Sequence, residues 1–221
     1  MVEKVKNGIT ELVFILDRSG SMMHLTDDTI GGFNSMIENQ KKEEGEAFVT
    51  TVLFDDQYEL LHDHVDIKEI QPITNNEYYA RGMTALLDAV GKTINSIGNR
   101  LSATPEDERP DKVIFVITTD GMENASREFV KSTVKEMIEH QQSKYSWTFM
   151  FLGANMDAVG EAASLGINTD FARTYTASDW GTQSVYSSVS NAMAYVRSCD
   201  SVMDANSASY KAVMDSLDEV E

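Results

Sequence analysis

The stretch Leu12-Val13-Phe14-Ile15-Leu16-Asp17-Arg18-Ser19-Gly20-Ser21 decides the fold. Five consecutive apolar residues, β-branched and aromatic among them, read as a strand buried on both faces. They run straight into a carboxylate and two hydroxyls at alternate positions, on a turn loosened by Gly20. Side chains so spaced can converge on one point just beyond the strand. Oxygen donors at such a point suit a hard divalent cation in octahedral geometry. Taken alone, the same residues also fit a hydrogen-bonded turn that caps a following helix.

Two further segments favour the metal. In Arg81-Gly82-Met83-Thr84-Ala85-Leu86-Leu87-Asp88-Ala89 a threonine follows a glycine turn and opens an amphipathic helix. In Val113-Ile114-Phe115-Val116-Ile117-Thr118-Thr119-Asp120-Gly121 a second buried strand ends in an acidic residue and a glycine. In this order and at these separations, the three segments resemble the metal-ion-dependent adhesion site of von Willebrand factor type A (vWA) domains. The resemblance implies Asp17, Ser19, Ser21, Thr84 and Asp120 as the metal ligands, and none of the five departs from the family pattern. It covers the chain to about residue 198, so residues 1–198 are expected to be one vWA domain.

That resemblance also implies an α/β, Rossmann-like fold: a six-stranded, mostly parallel sheet in the order 3-2-1-4-5-6, with one antiparallel edge strand and helices on both faces. The first and fourth strands then lie side by side where the strand order reverses, the place where open parallel sheets collect ligands. Asp17 and Asp120 would end neighbouring strands on one rim. The implied cofactor is Mg²⁺ or Mn²⁺, with Ca²⁺ as an alternative. A cation held by three neutral hydroxyls and two carboxylates keeps an open position for an Asp or Glu of a partner protein. The family couples such binding to a shift of the threonine loop, and Gly82 beside Thr84 extends that expectation to this chain. Among relatives, the chain looks most like compact bacterial and phage vWA proteins near tellurite-resistance and stress systems.

The rest of the pattern agrees with alternating strands and helices. Ile30, Phe33, Ile37 and Gln40 repeat at helical spacing, with Gly45 as the expected C-cap. Phe48–Phe54, the turn Asp55-Asp56-Gln57 and Tyr58–His62 read as an antiparallel hairpin. Leu86, Val90, Ile94 and Ile97 mark the next helix, and Val130, Val134, Met137 and Ile138 the one after. Thr148–Leu152 is a further strand, 156–165 a short helix and Thr174–Thr176 a last edge strand. Val185, Val189, Ala192 and Val196 line the final helix, whose apolar spacing Cys199 continues. Residues 199–221 form a polar tail with six carboxylates against Lys211, open to disorder or to a short docked helix.

A net charge of −18 argues against a nucleic-acid surface and against anionic membranes. No apolar run approaches the ~20 residues that cross a bilayer, and residues 1–8 lack a secretory signal. With the single Cys199 unable to form an internal disulfide, a cytoplasmic location is expected.

The main alternative is a phosphoryl-transfer enzyme using the same strand-end carboxylates. Its usual second Asp, two residues after the first, is Ser19 here, and the motifs hold no His, Cys or Lys. A protein-binding module rather than an enzyme is therefore expected. His62 and His64 share an expected strand face but are weak as a zinc pair. Met22 and Met23 can form an apolar collar at the site or fill gaps in the core. Glu123 and Asn124 can hydrogen-bond around the site or start the following helix.

Overall fold

The computed structural model of the chain describes residues 8–176 and 179–199, so the tail beyond Cys199 lies outside the described residues. The strands are β1 (Ile9–Asp17), β2 (Glu46–Phe54), β3 (Tyr58–Asp66), β4 (Lys112–Thr119), β5 (Thr148–Ala154) and β6 (Ala172–Tyr175). The α-helices are α1 (Thr26–Gln40), α2 (Leu86–Ala103), α3 (Lys131–Tyr145), α4 (Ala158–Ser164) and α5 (Asp179–Ser198). They build one six-stranded sheet in the order β3-β2-β1-β4-β5-β6. Among the described residues, only the β2–β3 hairpin is antiparallel. This is the doubly wound arrangement that the resemblance implied.

Alternation along the central strands decides which helix covers which face. Leu12, Phe14 and Leu16 of β1 join Ile114 and Val116 of β4 beneath α1 and α5. Val13 and Ile15 join Phe115, Ile117, Phe149 and Phe151 beneath α2, α3 and α4. Both faces are therefore covered, and residues 12–16 have no exposed surface. Each such side chain contributes on the order of 1.5–3 kcal/mol. Aromatic contacts fix the layers, with Phe14 edge-on to Phe33 at 5.3 Å and Phe115 stacked on Phe149 at 4.7 Å.

Several element limits differ from the sequence expectation. The C-cap of α1 is Lys41, not Gly45. Gly45 instead turns the chain into β2 at φ +87°, where a Cβ would come within 2.8 Å of the Gly8 carbonyl oxygen. Val130 is the exposed N-cap of α3 rather than part of its buried stripe. Strand β6 begins at Ala172, two residues before the expected edge strand.

Strand β3 runs on to Asp66 across an irregular register opposite Thr51. Its cause is polar and lay outside the apolar pattern. The buried carboxylate of Glu11 accepts from the Thr50 hydroxyl at 2.7 Å, contacts His64 Nδ1 at 2.6 Å and pairs with Arg100 at 2.6 Å. His64 takes a left-handed φ of 53° to reach it and stacks on Phe48. His64 is thus engaged by Glu11 and Phe48.

Candidate metal centre

Parallel pairing of β1 with β4 sets Leu16 opposite Thr118, so both strands deliver acidic side chains to the same rim. Asp17 closes β1 with no exposed surface. One of its oxygens accepts from the Ser19 amide at 2.7 Å, the other from the Thr119 hydroxyl at 2.5 Å. Burial pushes its pKa up from 3.8 to about 6; the Thr119 and Ser19 hydrogen bonds oppose the rise, and the nearby Asp120 charge adds to it. Among the described residues, no ion pair compensates Asp17 or Asp120.

Beyond Asp17 the chain enters a 3₁₀ turn over Gly20–Leu25, for which Ser19 is the N-cap residue. The Ser19 hydroxyl makes no capping bond and lies 3.1 Å from that of Ser21. Ser21 in turn donates to Asp120 at 2.5 Å. Four of the predicted ligands are therefore linked through direct contacts. The fifth, Thr84, is buried and reaches the same place from its own loop. A Cβ built on Gly121 would stand 3.3 Å from the Thr84 hydroxyl and 3.4 Å from that of Ser21. Glycine at 121 keeps this space open.

Thr84 is held by partners outside the donor set. Its amide donates to the Asn124 side chain at 3.0 Å, and its carbonyl accepts from the Asn124 and Ala125 amides. Glu123 accepts from the Leu87 amide at the start of α2 and from the Ala125 and Ser126 amides. Glu123 and Asn124 therefore buttress the threonine loop. They do not start α3, which begins at Lys131.

Sequence reasoning missed a second set of supports. Arg18, between two candidate ligands, is fully buried and pairs with the equally buried Asp55 at 3.2 Å. Arg18 also reaches Glu59 at 2.6 Å, and Arg81 pairs with Asp55 at 2.6 Å. The Arg81 amide donates to the Arg18 carbonyl at 2.8 Å, and the Gly20 amide to that of Gly82 at 3.2 Å. Gly82 adopts φ +67°, and a Cβ there would lie 2.2 Å from an Asp56 carboxylate oxygen. Tyr78 donates to the Asp17 carbonyl at 2.5 Å. The only local clue to this brace was the charge of Arg18 and Asp55 directly after two strands.

The donor chemistry fits a hard divalent cation. All five predicted groups offer oxygen, two are carboxylates, and neither carboxylate has a cationic partner among the described residues. No group of three or more His, Cys, Asp or Glu is placed to hold a metal among those residues, so an ion here relies on hydroxyls and water. Met22 is buried, while Met23 and His24 are exposed. Among the described residues, no helix is long and apolar enough to cross a membrane.

No family model matches the sequence, and a search of curated proteins finds no relative. Solved structures do share the fold. Proximal thread matrix protein 1 from the mussel byssus aligns with a TM-score of 0.59 at 15% identity, over 85% of this chain and 46% of that one. A second structure of that mussel protein, with a zinc-occupied metal-ion-dependent adhesion motif, aligns at TM-score 0.58 and 16% identity over the same shares. The ArnB paralog VWA2 of Sulfolobus acidocaldarius aligns at TM-score 0.54 and 16% identity, over 83% of this chain and 44% of that one. A von Willebrand factor type A protein from Catenulispora acidiphila gives 0.53 and 13%, over 84% and 42%. The chain thus spans less than half the length of these solved chains and has the vWA fold.

Proposed function

We propose that this chain is a divalent-cation-dependent protein-binding module. Asp17, Ser19, Ser21, Thr84 and Asp120 would hold Mg²⁺ or Mn²⁺. The observation that carries this reading is the convergence of three distant segments around Gly121, bringing two carboxylates that have no ion-pair partner among the described residues. Zinc at the adhesion motif of the mussel protein supports a divalent ion on this fold. When bound, the ion would supply an open coordination position for a partner's Asp or Glu.

The protein's own groups set the terms of that exchange. Three of the five donors are neutral hydroxyls and the two carboxylates no more than balance a dication, which leaves a hard ion that takes a further oxygen anion at an open position. Asp17, the carboxylate that would attack phosphorus in the phosphoryl-transfer alternative, is buried with both oxygens hydrogen-bonded, which disfavours it as a nucleophile. The phosphoryl-transfer alternative also lacks its usual second Asp, since Ser19 stands two residues after Asp17.

Thermal unfolding in Mg²⁺ or Mn²⁺ against chelator tests the metal reading. The ion should raise the wild-type midpoint, since a ligand bound only by the native state stabilises it. It should leave a Thr84→Val, Ser21→Ala double variant unmoved. An equal shift in both proteins would point to diffuse acidic sites and overturn the assignment.

A further inference from the structure

The rim around the candidate centre carries an unusual share of exposed apolar side chains. Met23, Met83 and Met122 are 69%, 50% and 79% exposed. Each stands within two residues of a proposed ligand, and each comes from a different segment: Met23 after Ser21, Met83 before Thr84 and Met122 after Asp120. The segments meet through the Gly20–Gly82 hydrogen bond and the approach of Ser21 and Thr84 to Gly121. Tyr79, 43% exposed, extends the patch over the Arg18 and Arg81 guanidinium groups at 5.5 and 5.2 Å. Half of the eight large exposed hydrophobics among the described residues therefore belong to this rim. The others are scattered over β3, the two ends of α3 and α4. Scattered apolar residues need no account, whereas a cluster bordering a binding site does.

We infer that the partner segment presents one Asp or Glu flanked by large apolar residues, and that those flanks pack on Met23, Met83 and Met122. The inference rests on the metal-dependent reading above and specifies what the site selects. The acid and its flanks answer to separate features of the rim. A carboxylate suits the open position of a hard dication. A run of several acids would meet the repulsion of a chain with net charge −18. Neutral apolar neighbours avoid that repulsion and gain contact area. Methionine suits this role because its unbranched, polarizable thioether repacks around differently shaped apolar groups. Met22, one residue from Met23, is completely buried, so the exposed methionines do not continue the core.

Selection of random displayed peptides on the full chain in Mg²⁺, with elution by chelator, tests this together with Mg²⁺ calorimetry. Enriched peptides should carry a single acid between Leu, Ile, Phe or Met residues. A triple variant, Met23→Ser, Met83→Ser and Met122→Ser, should bind them at least about tenfold more weakly while binding Mg²⁺ as the wild type does. Enrichment of polar or basic flanks, or equal peptide affinity in the triple variant, would overturn the inference. So would an absence of Mg²⁺-dependent enrichment from protein that binds Mg²⁺, or a triple variant that loses Mg²⁺. If the wild type fails to bind Mg²⁺, the underlying metal reading falls, and calorimetry separates that result from the others.

Discussion

Asp17 shows at the scale of one residue what the site asks of the fold. Its carboxylate is buried without a cationic partner among the described residues, and burial lifts its pKa to about 6. Between the ordinary value of 3.8 and about 6, the folded chain holds a proton that the unfolded chain has released. Stability of the metal-free protein therefore falls as pH rises through that window. Two pKa units correspond to a penalty on the order of 2–3 kcal/mol at neutral pH. Urea unfolding in chelator, compared between wild type and Asp17→Asn, should show a decline from pH 4 to 7 in the wild type that the variant lacks. Parallel pH profiles would contradict this account of Asp17. A cation at the site would offset the penalty, because it favours the ionised carboxylate.

Among the elements, the loops after β1, after β2 and before α2 are joined by the Arg18–Asp55–Arg81 brace. Arg18 and Asp55 are both fully buried, so removing Asp55 leaves Arg18 with only the half-exposed Glu59 as its ionic partner. Asp55→Ala should cost about 3 kcal/mol, the low end for a broken buried pair because Glu59 still reaches Arg18. Arg81→Ala, at a side chain 36% exposed, should cost about 1 kcal/mol or less. Chemical denaturation of the two variants checks the ranking, and equal losses would contradict it. This brace also marks where sequence reading stops. The runs at 12–16 and 113–117 were legible as strands because burial on both faces demands unbroken apolar residues. Asp17, Ser19 and Ser21 read as one donor group because their spacing is local, whereas Thr84 and Asp120 joined them only through the family resemblance. Neither rule applies to Arg18 finding Asp55, Thr119 finding Asp17, or Asp88 accepting from the amides of Arg127, Glu128 and Phe129. Those partners lie 37 to 102 residues apart and meet only through the topology. The bulged end of β3 escaped for a related reason, since the buried Glu11 that organises it reads as a polar break.

For the molecule as a whole, the strand order is what brings the two candidate carboxylates together. Reversal of the sheet between β1 and β4 brings Asp17 and Asp120 to one rim, and α2 begins just after Thr84 at the same rim. Most of the net charge of −18 lies elsewhere, so weak and diffuse cation binding is the background against which a specific site has to stand out. Calorimetric titration of Mg²⁺ into chelator-treated protein, beside Asp17→Ala and Asp120→Ala variants, separates the two most directly. The account predicts one saturable site in the wild type that either substitution abolishes. Saturable binding that survives both substitutions, or no saturable binding in the wild type, would contradict it.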